Sequence, residues 1–263
     1  MPIRRRARRL AAVLALACAA GAAMQATAGP DTNGRDQRRS IEPTAWPWTA
    51  IGRINRSSGG FCTGVLVAPQ LVLTAAHCVY DDRRRRWMSP RMIHFVAGYH
   101  RDRYAAHSVG AVLRVPDGYR PGARNPADID TLGRDWALLE LARPVAVEPI
   151  PWRVAAAGEA DGLRVLLAGY RRDWAHVLSA DPDCRLIGSR AGADLLLHDC
   201  AATFGDSGSP LLVEDDDGFF VVGVHVAILD GTDTGGSLHG LAAAPAALTA
   251  PVAGTVAGTA PAE

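Results

Sequence analysis

Between about Trp46 and Val226 the chain alternates short apolar runs with turn residues. The runs are Thr49–Ile54, Phe61–Ala68, Leu71–Ala75, Met92–Ala97, Ala111–Val115, Trp136–Leu141, Leu163–Gly169, His176–Ser179, Asp194–His198, Pro210–Val213 and Phe219–Val226. Each is four to eight residues long, and many hold β-branched residues. Gly, Pro and Asp punctuate them, and no long amphipathic helix interrupts them. Many short strands with frequent turns predict an all-β sandwich or barrel. The Pro/Ala-rich stretch Arg143–Gly162 divides the strands into two sets and reads as a linker. After Leu241 the chain is rich in Ala, Pro, Thr and Gly without apolar period, which predicts a weak helix at best and then a disordered tail. The polar stretch from Gly29 to about Ile41 reads as a pro-segment or flexible lead-in. The expected organisation is thus 29–41 as lead-in, 42–145 and 146–243 as two β units, and 244–263 as tail.

The amino terminus has a different pattern. Arg4 to Arg9 form a basic region, Leu10 to Ala20 an apolar run, and Ala26-Thr27-Ala28 a small-residue cleavage pattern. This is the layout of a secretory signal peptide over residues 1–28. The run is too short for a permanent bilayer span, which needs about 20 residues. Arg8-Arg9 offers a twin-arginine alternative and Cys18 a lipid-anchor one; the mildly apolar Leu10-Ala11-Ala12 and Ala15 speak against them. A secreted or periplasmic protein with no membrane attachment after cleavage is the expectation.

Composition narrows the partners. Apolar residues make up 48% of the chain and charged residues 21%, ordinary for a globular protein. The formal charge is +1, and removing the five arginines of residues 1–28, which hold no acid, takes it to −4. No basic surface for nucleic acid is implied. The exposed-looking run Arg83–Arg86 reads as a solvated loop. Without Cys18, four cysteines remain: Cys62, Cys78, Cys184 and Cys200. An even count in an exported chain points to two disulfides, with three pairings open. Local pairing, Cys62–Cys78 and Cys184–Cys200, is the economical one. No C-x-x-C unit supports a zinc site.

Three short motifs carry chemistry. A serine hydroxyl needs a base to become a nucleophile, usually His, and that His needs a carboxylate to hold its tautomer. Leu73-Thr74-Ala75-Ala76-His77-Cys78 offers the base. Asp135-Trp136-Ala137-Leu138-Leu139-Glu140-Leu141 offers an acid opening a strand. Gly205-Asp206-Ser207-Gly208-Ser209-Pro210 offers a Gly-flanked serine before a strand. Each alone has a structural reading; the three together, in the order His, Asp, Ser, do not. An α/β-hydrolase would run Ser, Asp, His with Gly two residues after the serine, where this chain has Ser209.

These motifs, with Pro47-Trp48-Thr49-Ala50-Ile51-Gly52, Cys62-Thr63-Gly64-Val65-Leu66 and Gly223-Val224-His225, resemble the trypsin-like (chymotrypsin-fold) serine proteases over about residues 44–240. The bacterial V8-like branch with the glutamyl endopeptidases is the most similar. The resemblance implies two antiparallel six-stranded-type β-barrels with the active site in the cleft between them. It places His77 and Asp135 on the first barrel and Ser207 on the second, with the Gly205 and Ser207 N–H groups as oxyanion hole. It implies a monomer acting on a peptide or protein substrate, without cofactor or metal. A protease-like binding domain and an esterase on the same scaffold are the alternatives.

By the same resemblance the pocket for the residue before the scissile bond is based on Ala201 and Ala202 and walled by His225, Val226, Ala227 and Ile228. It holds no counter-charge for Arg or Lys. His225 matches a histidine that helps glutamyl endopeptidases bind a carboxylate, but the usual hydroxyl is absent at Ala202. The expected preference is aliphatic first, Glu second, basic last. Many family members free an Ile or Val amino terminus whose ammonium pairs with the Asp before the nucleophile, here Asp206. Ile41 follows Arg38-Arg39-Ser40, yet a cut after either Arg leaves Arg39 or Ser40 first, so activation stays open.

Overall fold

Alternation of buried and half-buried positions turns the apolar runs into strands, and the strands close into rings. The structure is a computed structural model that describes residues 37–121, 129–153, 161–190, 194–229, 239–243 and 255–257. The signal-peptide reading and most of the lead-in and tail lie outside them. In chain order the strands are β1 (Arg39–Ile41), β2 (Ile51–Arg56), β3 (Phe61–Ala68), β4 (Leu71–Thr74), β5 (Tyr80–Asp81), β6 (Arg86–Trp87), β7 (Ile93–Ala97) and β8 (Ala106–Arg114). They continue as β9 (Ala137–Leu141), β10 (Arg164–Gly169), β11 (Leu178–Arg190), β12 (Leu195–His198), β13 (Pro210–Asp215), β14 (Gly218–Leu229), β15 (His239–Ala243) and β16 (Thr255–Ala257).

The first sheet runs β16-β8-β7-β2-β3-β4-β9, and a further β8–β9 pairing closes six of its strands into a barrel. The second runs β1-β11-β10-β13-β14-β15-β12, and β11–β12 pairing closes six of those. All pairings between these strands are antiparallel. The expected pair of six-stranded antiparallel barrels is therefore present, each with one added strand. Closure removes the exposed edges that an open sheet would offer to other chains.

Side chains fill both barrels. Ile51, Ile54, Val65, Leu73, Ile93, Phe95, Leu113 and Leu139 are fully buried in the first, and Leu167, Leu186 and Leu211 in the second. Burying one such side chain is worth about 1.5–3 kcal/mol. The Cys62–Cys78 and Cys184–Cys200 disulfides are both formed, the local pairing. The first joins β3 to the turn after β4. The second joins β11 to the chain that follows β12.

Four features differ from the apolar pattern. β11 is thirteen residues long, whereas only its first residues lay in an apolar run. Asp181-Pro182-Asp183 hid the rest, and the register shifts there, between Val165↔Cys184 and Leu167↔Asp181. Pro182 lacks a backbone donor, and a bulge is where a strand tolerates that. Residues 39–41, inside the stretch read as lead-in, form β1 against β11, with Ser40 opposite Ser179. Within the stretch read as disordered tail, Thr255–Ala257 pair with β8. The stretch read as linker is held along its described length: Val145 N–H donates to Pro69 O, Ile150 N–H to Leu66 O and Arg153 N–H to Val221 O. Arg83–Arg86 sits at the exposed tip of the β5–β6 hairpin, as expected of a solvated loop.

Candidate active site

His77 lies in a short 3₁₀ turn, Ala76–Val79, directly after β4. The Cys62–Cys78 bridge ties the next residue back to β3. Asp135 precedes β9, which pairs with β4 through Thr74↔Ala137. That pairing sets the acid beside the turn. Asp135 is buried and uses both oxygens on His77. Oδ1 accepts the His77 backbone N–H at 2.9 Å, and Oδ2 lies 2.7 Å from ring Nδ1. The His77 side chain is gripped by Asp135 on its Nδ1 edge and remains 34% exposed.

Ser207 sits in a loop of the second barrel that is bolted to the first. Thr63 on β3 donates its N–H to Ser207 O at 2.9 Å and its hydroxyl to Gly205 O at 3.2 Å. The same hydroxyl accepts the Tyr170 N–H at 2.9 Å, and Thr63 O accepts the Thr74 hydroxyl at 2.7 Å. Gly208, at φ +81°, packs so tightly that a Cβ would collide with Thr63 O and the Thr74 hydroxyl. It also stands near Ala75, two residues before His77. The sequence places glycine where no side chain fits.

The loop is also closed on itself. Asp206 N–H donates to Thr203 O, Ser209 N–H to Asp206 O, and Gly208 N–H to His225 O. Gly205 holds φ +99°, and its amide and that of Ser207 take no part in these bonds. Thus His77 and Asp135 are in direct contact, while Gly205, Ser207 and Gly208 meet the same barrel through Thr63, Thr74 and Ala75.

Of the residues read as pocket, His225 is bonded to this loop and Ala201 and Ala202 lead into it. Ala201 and Ala202 are buried just before it. His225 and Val226 are buried on β14, and Ala227 and Ile228 are half-buried beyond them. His225 N–H bonds Ser209 O, and its ring Nδ1 lies 3.0 Å from His198 Nε2. Burial first, then His198, Arg38 and His77, hold the His225 pKa well below that of an ordinary histidine. The ring is neutral around pH 7, and its Nδ1 is engaged with another histidine. Burial and the contact with His198 thus disfavour the charged form of His225.

Two participants were not among the sequence candidates. His198 ends an apolar run and gave no local sign of meeting His225. Arg38 lay in the stretch read as flexible, yet its side chain is buried and 3.1 Å from Asp206 Oδ1.

The trypsin family model matches residues 36–247, and the chain belongs to the trypsin family. A relative, the glutamyl endopeptidase of Bacillus licheniformis, is 32% identical over 111 residues. That match spans 42% of this chain and 32% of the relative, so the chain aligns with about a third of its length. A solved structure of a Glu endopeptidase in complex with MPD superposes with TM-score 0.67 at 23% identity, covering 83% of this chain and 95% of that one.

Proposed function

We propose that the chain is a secreted serine endopeptidase that hydrolyses peptide bonds through His77, Asp135 and Ser207. One observation carries the reading: Asp135 grips His77 at both the backbone and ring Nδ1, beside the loop that bears Ser207. With its proton on Nδ1 and donated to Asp135, the ring presents a basic Nε2 toward the cleft. In this reading Nε2 takes the Ser207 proton as Oγ attacks the substrate carbonyl. The Gly205 and Ser207 amides receive the oxyanion, and loss of one such donor costs about 10²–10³ in rate. The imidazolium then protonates the leaving amine, leaving an acyl-enzyme that water clears by the same steps in reverse.

Ala201 and Ala202, with β14, support an apolar pocket for the residue before the scissile bond. A neutral, bonded His225 weakens the Glu reading, so aliphatic residues rank first, Glu second, and Arg or Lys last. Burying an unpaired cation against this lining is costly. Asp230 and Asp233, acids that would alter this order if they reached the pocket, lie outside the described residues. Among the described residues no helix is long and apolar enough to cross a membrane. Export rests on the pattern of residues 1–28.

A fluorophosphonate probe tests the assignment. It should label Ser207, and Ser207→Ala should abolish labelling and turnover while keeping the fold. Unlabelled Ser207 in folded protein would point to a binding domain. A peptide library separates protease from esterase, and a profile led by Arg or Lys would overturn the pocket reading.

A further inference from the structure

Arg38 is an arginine with no place in the reaction as described, and it is buried beside the nucleophile loop. Its side chain and that of Asp206, the residue before Ser207, are both at 0% exposure. Nη2 stands 3.1 Å from Asp206 Oδ1. The other donors are also used: Nε bonds Ser179 Oγ at 3.1 Å, Nη1 bonds Ala201 O at 3.0 Å, and Nη2 bonds Ser179 O at 2.7 Å. A weaker bond from Nη2 reaches Gly169 O at 3.3 Å. The guanidinium thereby holds both ends of one segment: the carbonyl of Ala201 where the chain enters the loop, and Asp206 at its turn.

Asp206 needs this partner. Burial pushes its carboxyl pKa up, and Arg38 is the strongest influence opposing that shift. Its Oδ2 accepts the Thr203 N–H at 3.0 Å, but Oδ1 receives no aligned hydrogen bond among the described residues. The charge at Oδ1 is answered by the guanidinium. Arg171 acts on Asp206 more weakly, and its own fork is committed to Asp173 at 2.9 Å. Asp206 holds the Thr203 amide, which closes the turn that carries Gly205 and leads into Ser207.

We propose that Arg38 is a positioning residue for the oxyanion loop: its buried guanidinium, delivered by strand β1, is the counter-charge that holds Asp206 and so fixes the Gly205 and Ser207 amides. Activity then requires a chain left uncut between Arg38 and Ile41, and a newly freed amino terminus at Ile41 is not the activating group. The placement of β1 supports this. Arg38 immediately precedes the strand, and Arg39, Ser40 and Ile41 pair with Ala180, Ser179 and Leu178. Ile41 is a paired strand residue, and withdrawing it toward Asp206 would break the ladder that seats Arg38. A cut after Arg38 or Arg39 would separate the guanidinium from the strand that anchors it. The inference deepens the proposed protease reading and rests on it for the meaning of the loop.

The test combines kinetics with hydrogen exchange on the chain carrying residues 37–41 intact. Arg38→Met keeps the apolar stem and removes the charge. It should lose about 10²–10³ in rate, the scale of a lost oxyanion donor, mainly in kcat. Exchange should quicken in peptides covering 199–209, with β2–β7 of the first barrel unchanged. Arg38→Lys should recover part of both, because the charge returns without the fork. Adding Asp206→Asn to Arg38→Met should cost far less than the product of the two single losses. A chain beginning at Ile41 should be as poor as Arg38→Met. Wild-type kcat and unchanged exchange in Arg38→Met would overturn the proposal, as would full activity in the chain beginning at Ile41. Loosening across both barrels in Arg38→Lys and Arg38→Met alike would also overturn it, by making Arg38 a general stability residue. If the parent chain has no peptidase activity, the protease reading fails by itself. The exchange arm still decides whether Arg38 holds the loop.

Discussion

Replacing Asp135 by Asn asks more of the site than a simple loss of charge. Both carboxylate oxygens accept hydrogen bonds from one residue: Oδ1 from the His77 amide at 2.9 Å and Oδ2 with ring Nδ1 at 2.7 Å. An amide has one acceptor, so Asn must choose. With its oxygen on the backbone N–H, its NH₂ faces Nδ1 and forces that nitrogen to accept. The ring proton then moves to Nε2, and the base toward Ser207 is lost. The opposite orientation sets NH₂ against the backbone N–H, two donors face to face, which is the worse arrangement. The first orientation should win, giving a well-folded enzyme with the wrong tautomer. The corresponding change in the template triad costs about 10⁴ in kcat, and at 1.36 kcal/mol per tenfold that is about 5 kcal/mol of barrier. Steady-state kinetics near neutral pH on a peptide substrate measures it, with thermal unfolding as control. A loss below tenfold in kcat, with the fold intact, would refute the assignment of Asp135 as the residue that orients the base. Equal sensitivity at Asp130 in place of Asp135 would refute the motif placement.

Three further outcomes are expected. Gly208→Ala should abolish activity and lower the melting temperature, since its Cβ collides with Thr63 O and the Thr74 hydroxyl at φ +81°; retained activity would show that the loop gives way. His225 contributes stability that falls with pH: the unfolded imidazole takes a proton below its ordinary pKa near 6.5, while the folded one resists until much lower. The stability of wild type relative to His225→Gln should therefore decline as pH drops from about 7 to 5, with a limiting slope of about 1.4 kcal/mol per unit; parallel stability curves would refute this. Removing the Cys184–Cys200 bridge, which spans 16 positions, should cost about 3 kcal/mol in denaturant unfolding on the chain-entropy model; an unchanged midpoint would show that the loop is already ordered without it.

The parts of the site that were readable in the sequence are those whose chemistry is local. His77, Asp135 and Ser207 each stand in a motif of six or seven residues whose composition serves the turn or strand that carries it. Cys62 and Cys78 bracket His77 within the same short span, which made the local disulfide economical. The barrels were readable because their inward faces are apolar in runs. What was hidden depends on distance along the chain. Arg38 meets Ala201 across 163 positions, and in isolation Arg38-Arg39-Ser40 has the polarity of a loop. His198 and His225 are separated by 27 positions on different strands, and nothing at either end marks the other. β5 and β6 are two residues each, too short to show a period, and β15 falls among small residues with little apolar signal. Asp181 carries no apolar signal because its role is tertiary: its carboxylate accepts the Ala201 N–H at 2.8 Å.

Thr63 gives the two barrels a shared fate. A residue of the first barrel donates to the carbonyls of Ser207 and Gly205, and receives the amide of Tyr170 from the second. A chimaera that joins this second barrel to the first barrel of a distant relative would keep or lose the Gly205 and Tyr170 bonds with that one side chain, while the bond to Ser207 O needs only a backbone N–H. Modular exchange of barrels should therefore work only between proteins that keep a hydroxyl here. A graft onto valine would keep the shape of the seam but leave the Tyr170 amide without an acceptor and the Gly205 carbonyl without a donor.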